Sequence, residues 1–80
     1  MINLLPEMTL IENSIAQDLE KILYAHPDYV ENSTEYVLSG GSMMIVPQQL
    51  DITEEEFRPH YELAARVFQE NIEAVLAKYK

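Results

Sequence analysis

The sequence predicts a single small α+β domain in which two helices pack on one face of a β-hairpin, in the order helix, hairpin, long C-terminal helix. Three observations lead to this fold class: a helical pattern of apolar residues near the start, two β-prone runs around Gly40-Gly41, and a long amphipathic pattern at the end. Eighty residues are enough for one domain with one hydrophobic core. We therefore expect residues 1–80 to form a single domain.

The first helix is predicted over about residues 10–25. Thr9 and Glu12 have the capping-box spacing, in which the two side chains satisfy backbone amides at a helix start. The apolar positions that follow recur at steps of three and four residues: Ile11, Ile15, Leu19, Ile22 and Leu23. His26-Pro27 ends the helix, because proline disfavours helical geometry in the residue before it.

The hairpin is predicted over about residues 35–46, with Gly40 and Gly41 as its two-residue loop. A primed turn needs positive φ at positions that only glycine adopts at little cost. The pairing that follows is Leu38 with Met43 and Tyr36 with Ile45 on one face, and Val37 with Met44 and Glu35 with Val46 on the other. An alternative is a short helix over residues 30–38 capped by Gly40, which Asn32, Ser33 and Thr34 disfavour.

Both faces of this hairpin are mostly apolar, whereas the helices of one chain can cover only one face. An uncovered apolar face with a free strand edge is prone to association. We therefore expect self-association, most simply a homodimer, or cover by a protein partner.

The last helix is predicted over about residues 53–79. Asp51 to Glu56 contain two overlapping capping boxes, and three carboxylates stand at the positive end of the helix dipole. Pro59 lies in the first turns, where we expect a kink or a break. The expected apolar stripe consists of Phe57, Tyr61, Ala64, Phe68, Ile72, Val75 and Tyr79, widened by Val67 and Leu76.

Composition argues against several classes of protein. The chain has no cysteine, so disulfides and thiolate zinc sites are excluded, and a reducing cytoplasm fits best. The N-terminus lacks the pattern of a signal peptide, and no run approaches the length of a membrane span. His26 and His60 lack a second histidine at ligand spacing, and no nucleophile or phosphate-binding motif occurs. We expect no enzyme activity, no metal and no cofactor.

The tripeptide His26-Pro27-Asp28 resembles the signature loop of J-domain co-chaperones, but that family precedes it with a strongly basic helix, whereas here Asp18 and Glu20 stand beside Lys21. The slightly longer stretch from Tyr24 to Asp28 resembles the end of the first helix in the DNA-damage-inducible DinI proteins, which share the length and the helix–hairpin–helix order. The sequence predicts no long first strand here. We therefore assign no family and interpret the tripeptide as a helix stop followed by a turn.

Charge is distributed unevenly along the chain. Of the fourteen acidic residues, eleven lie in residues 1–57 beside the single base Lys21, giving −10, whereas residues 58–80 carry about +1. So acidic a region avoids phosphates and membranes and favours a protein partner with a basic surface. We name seven carboxylates the acidic candidates: Asp28, Glu31, Glu35, Asp51, Glu54, Glu55 and Glu56. Tyr29 and Tyr36 complete the candidate partner-binding residues, because tyrosine combines apolar area with a polar tip.

The function expected from these features is non-enzymatic binding of another protein. Small acidic proteins without cysteine or a catalytic site often act as inhibitors, and phage-encoded antagonists that mimic nucleic acid are one such class. The alternative is a structural or regulatory subunit that associates through its apolar hairpin, with the charge serving only solubility. Helix capping also accounts in part for Glu54, Glu55 and Glu56.

Overall fold

Four elements follow one another along the chain: α1 (Leu5–Tyr24), β1 (Thr34–Ser39), β2 (Ser42–Pro47) and α2 (Glu54–Lys78). The structure is a computed structural model that describes residues 5–39 and 42–79, with side-chain burial described for residues 12–38 and 42–79. The two strands form an antiparallel hairpin, and both helices contact it as well as each other. The predicted α+β fold and its order of elements are confirmed.

Helix α1 begins earlier than the sequence predicted. It starts at Leu5, so Thr9 lies inside the helix and the predicted N-cap at Thr9 is wrong. Pro6 is the second helical residue, and the fixed φ and missing N–H of proline suit the first turn of a helix. The helix ends at Tyr24, and beyond it His26 N donates to Leu23 O over 3.0 Å.

The hairpin has the register that the sequence predicted. Tyr36 pairs with Ile45 and Val37 with Met44, and the strands extend to a Thr34–Pro47 pair at the open end. The alternative helix over residues 30–38 is therefore excluded. The predicted turn residues Gly40 and Gly41 lie outside the described residues, and only the pairing on either side of them is established.

Helix α2 begins with the predicted cap but is not interrupted. Thr53 is the N-cap, with φ −77° and ψ 160°, and its Oγ1 accepts a hydrogen bond from Glu56 N over 3.2 Å. The helix runs from Glu54 to Lys78 through Pro59, so the predicted break does not occur. Because Pro59 and Glu55 are both exposed, water can reach the carbonyl that the proline leaves without an intrahelical donor.

The core lies between the two helices and the inner face of the hairpin. The buried apolar residues are Ile15, Ala16, Leu19, Leu23, Tyr36, Leu63, Ala64, Val67 and Val75. Tyr61 and Leu76, expected in the α2 stripe, are 46% and 42% exposed, and Leu63 is buried instead. The buried stripe of α2 is thus rotated toward Leu63, because this helix packs against α1 and the hairpin together. Ile22 is likewise exposed on α1.

Neither α1 nor α2, the two helices described, has a stretch long and apolar enough to cross a membrane.

Candidate partner-binding surfaces

Three hydrogen bonds between residues close in sequence shape the loop between α1 and β1. Asp28 N donates to His26 Nδ1 over 3.1 Å, Tyr29 N donates to His26 O over 3.1 Å, and Ser33 N donates to Val30 O over 3.0 Å. Asn32 has φ 64°, a left-handed conformation that asparagine tolerates better than most residues. His26 and Asp28 therefore shape a turn after the helix, as the sequence predicted for this tripeptide.

Gln48 fastens this loop to the segment that leaves β2. Its Nε2 donates to Thr34 O over 2.8 Å and to the Tyr29 hydroxyl over 3.3 Å, while its backbone N donates to Ser33 O over 3.4 Å. The Tyr29 hydroxyl in turn donates to Thr34 O over 3.3 Å. The open end of the hairpin is thus tied to both flanking loops, which places Tyr29 at a defined position.

A groove of about 490 Å³ lies at this end of the molecule, lined by Tyr24, Tyr29, Glu31, Asn32 and Gln48. The rings of Tyr24 and Tyr29 are in tilted contact, with centroids 4.9 Å apart. Tyr24 is 43% exposed at the last residue of α1. We call this site the tyrosine groove. The sequence singled out Tyr29 and Glu31, but the juxtaposition with Tyr24 and Gln48 depends on the folded loops.

The acidic candidates occupy three segments. Asp28 and Glu31 are exposed in the loop after α1, and Glu35 is half-buried in β1. The remaining four are exposed between β2 and the first turn of α2: Asp51, Glu54, Glu55 and Glu56. Gln48, in the loop of the third segment, donates to the Tyr29 hydroxyl in the loop of the first. Glu35 lies near Glu20 of α1.

Tyr36 does not lie on a partner-binding surface. It is 3% exposed, and its hydroxyl donates to the backbone carbonyl of Ala64 in α2. The sequence pattern assigns Tyr36 to one face of the hairpin but does not say that α2 covers that face fully at this residue. This burial removes Tyr36 from the candidate partner-binding residues, whereas half-buried Tyr29 remains a candidate.

Glu20 adds to the negative charge beside the tyrosine groove. Burial raises the pKa of its carboxyl group, and the charge of Glu35 raises it further, while the backbone of Tyr36 lowers it by hydrogen bonding. Burial also raises the pKa of Tyr24 to about 12, with Glu20, Tyr29 and Glu35 acting in the same direction. Glu20 was not a sequence candidate, because only the packing of α1 on β1 brings it near Glu35.

None of the acidic candidates has its negative charge neutralised by an intramolecular salt bridge among the described residues. The one salt bridge within residues 5–39 and 42–79 joins Lys78 Nζ to Asp18 Oδ2 over 2.9 Å, and Tyr79 donates to the same oxygen over 2.8 Å. Hydrogen bonds from Lys78 and then Tyr79 lower the pKa of Asp18. Lys78 therefore neutralises Asp18 of α1 rather than one of the acidic candidates.

A second surface of different character lies on the hairpin. Met44 on the outward face is 48% exposed, and Val37 and Val46 on that face are half-buried. A groove of about 470 Å³ adjoins it between β2 and α2, lined by Met43, Met44, Ile45, Tyr61, Ala65, Phe68 and Gln69. No charged residue occurs from Tyr36 to Leu50. Apart from half-buried Glu35, which lies opposite Val46, this hairpin surface is apolar in a chain of net charge −9.

Among the described residues, no group of three or more His, Cys, Asp or Glu side chains has an arrangement that could hold a metal ion.

Comparison of the chain with known protein families, with curated proteins and with solved structures finds no significant match.

Proposed function

We propose that this protein binds a basic protein partner through its acidic candidates and acts without catalysis, as an inhibitor in the cytoplasm. The observation that carries the proposal is that the acidic candidates are mostly exposed to solvent and that no basic side chain of the described residues pairs with them. Six of the seven acidic candidates are exposed, and none of the seven forms a salt bridge within the described residues.

Mutual repulsion among these carboxylates is a standing cost to the folded protein, and a basic partner relieves it on binding. Complementary charge also speeds association and rejects partners of like charge. The acidic candidates offer the same sign of charge as the phosphates of a nucleic acid, so the partner class that fits is a nucleic-acid-binding protein. This last step is an analogy with other acidic inhibitors.

The experiment is an affinity pull-down from a lysate of the source organism at low and high salt, read by mass spectrometry. A triple variant, Asp28→Asn with Glu31→Gln and Glu35→Gln, removes three acidic candidates. The matched control, Glu62→Gln with Glu70→Gln and Glu73→Gln, removes the same charge from exposed positions of α2. Substitutions at exposed positions change stability by about 0.5 kcal/mol or less per site, and circular dichroism verifies that the triple containing half-buried Glu35 is folded.

A basic protein captured by the parent and by the control triple, but lost with the acidic-candidate triple and at high salt, is the expected result. Its association with the acidic-candidate triple should be slower and less dependent on salt. If both triples capture the same proteins to the same extent, the acidic candidates are a solvated surface and the proposal is wrong.

A second candidate function is supported by the hairpin surface. Met44 is 48% exposed beside an apolar groove, which is the surface expected of a subunit in a larger assembly. In this case the occupant is another protein subunit or a second copy, and the charge keeps the free subunit soluble. Salt distinguishes the two functions, because association through an apolar surface is not weakened by ionic strength.

A further inference from the structure

Tyr24, Tyr29 and Gln48 form the part of the tyrosine groove that is positioned by contacts within the protein. The Tyr29 hydroxyl donates to Thr34 O and accepts from Gln48 Nε2, each over 3.3 Å. Gln48 is held by two further hydrogen bonds: its Nε2 donates to Thr34 O over 2.8 Å, and its backbone N donates to Ser33 O over 3.4 Å. Tyr24 is fixed at the end of α1 and packs on the Tyr29 ring. A site whose side chains are already positioned loses less entropy on binding.

The groove offers acceptors and aromatic faces, and no positive charge. Gln48 uses Nε2 for its two internal hydrogen bonds, which leaves its Oε1 as an acceptor. Glu31 adds an exposed carboxylate, and Asn32 adds a side-chain amide. No lysine or arginine occurs between residues 22 and 57, so the chain itself supplies no cation to this groove from those residues.

Negative charge surrounds the aromatic part of the groove. Burial raises the pKa of the Tyr24 hydroxyl to about 12, and the nearby charges of Glu20 and Glu35 act in the same direction. Tyr24 is therefore neutral at pH 7, and the rings of Tyr24 and Tyr29 present the negative faces of their π systems. Aromatic faces, a carboxylate and neutral acceptors together are the chemistry that proteins use to bind an organic cation.

We infer that the tyrosine groove binds the guanidinium group of an arginine side chain carried by the basic partner, so this inference rests on the proposed function. Arginine fits better than lysine, because its planar guanidinium stacks on aromatic rings while its five N–H donors reach several acceptors at once. Tyr24 and Tyr29 supply the stacking surface, and Glu31 supplies the charge-assisted hydrogen bond.

The test is titration of the ¹⁵N-labelled protein at low salt with a hexa-arginine peptide and with a hexa-lysine peptide of equal charge. The variants are Tyr24→Leu and Glu31→Gln. Their matched controls are Tyr61→Leu and Glu62→Gln, an exposed tyrosine and glutamate that line a different hollow on α2. Circular dichroism verifies that each variant is folded.

We expect chemical-shift changes centred on residues 24–32 and Gln48, and tighter binding of hexa-arginine than of hexa-lysine. Tyr24→Leu should weaken hexa-arginine binding about two- to fivefold, the range for an exposed cation–π contact. Glu31→Gln should weaken it about twofold or more, whereas Tyr61→Leu and Glu62→Gln should each change it less.

If hexa-arginine binds the Tyr24→Leu and Tyr61→Leu variants equally well, the groove is not the site, although the acidic candidates remain a recognition surface. Equal affinity for the two peptides overturns the assignment of a guanidinium group. Absence of binding by either peptide at low salt overturns the groove and the proposed function together.

Discussion

The hydroxyl of Tyr36 in β1 donates a hydrogen bond to the backbone carbonyl of Ala64 in α2, joining residues 28 positions apart in the chain. Tyr36 is 3% exposed, and its ring lies 6.1 Å from that of Phe68 between centroids. Among the described residues, the hairpin is therefore held on α2 by one side-chain hydrogen bond beside apolar contacts.

Tyr36→Phe should lower the free energy of unfolding by about 1 kcal/mol, because it removes a buried hydrogen bond and keeps the ring. Urea denaturation monitored by circular dichroism measures this loss. Tyr61→Phe is the control, since Tyr61 is 46% exposed, and it should leave stability nearly unchanged. An equal effect of the two substitutions would contradict the role assigned to the Tyr36 hydroxyl.

The same residue predicts how stability changes at alkaline pH. Burial, and then the charge of Glu20, raises the pKa of Tyr36 above the ordinary value of 10.0. Below pH 10 the hydroxyl is protonated in both the folded and the unfolded state, so its contribution is fully present. As pH rises above 10, the unfolded state ionises first and stability falls. The advantage of the parent over Tyr36→Phe should therefore shrink above pH 10 in urea denaturation.

Asp18 predicts an opposite dependence at acid pH. Hydrogen bonds from Lys78, then Tyr79, lower the pKa of Asp18 from 3.8, so its contribution is present above that value and lost as pH falls. Asp18→Asn should reduce Tm at pH 7 in a scanning calorimeter, and the difference from the parent should disappear at low pH. Asp28→Asn is the control. Asp28 forms no salt bridge among the described residues, so this substitution should not reduce Tm. A pH-independent loss with Asp18→Asn would count against the ionic contact.

Thr34 and Thr53 predict changes of stability with opposite signs. Thr34 is 1% exposed, and its Oγ1 has no hydrogen-bond partner among the described residues. Thr34→Val keeps the shape and should raise the free energy of unfolding by about 1 kcal/mol, since it removes a buried unsatisfied hydroxyl. Thr53→Val removes the α2 cap and should lower it by about 1 kcal/mol. Urea denaturation of both variants measures the two changes in the free energy of unfolding. A lower free energy of unfolding for Thr34→Val would show that the Thr34 hydroxyl has a hydrogen-bond partner.

Met44 predicts the oligomeric state. If two copies meet through the apolar hairpin surface, Met44→Glu should shift the protein toward monomer in light scattering over a range of concentrations. Ala77→Glu adds the same charge at an exposed position of α2 and should leave the distribution unchanged. A parent protein that is monomeric at all concentrations would exclude the dimer and leave the hairpin surface to a different partner.

Local patterns in the sequence were sufficient for the order of elements, the strand register and the cap of α2. Alternation of side chains across a hairpin leaves only one pairing once Gly40 and Gly41 are taken as the loop, and Thr53 caps a helix through a contact three residues away. The start of α1 was misjudged because Thr9 has the capping pattern, although the chain is already helical from Leu5.

Only the tertiary structure decided which residues face a partner. Periodicity assigned Tyr61 to the buried stripe of α2, and Tyr36 was a candidate for partner binding. The packing of α2 on α1 and the hairpin instead exposes Tyr61 and buries Tyr36. The tyrosine groove likewise exists because Gln48 ties two loops together, and Glu20 meets Glu35 because α1 lies on β1. A sequence specifies the pattern on each element through nearest-neighbour chemistry, but the angle at which distant elements pack depends on all their contacts at once.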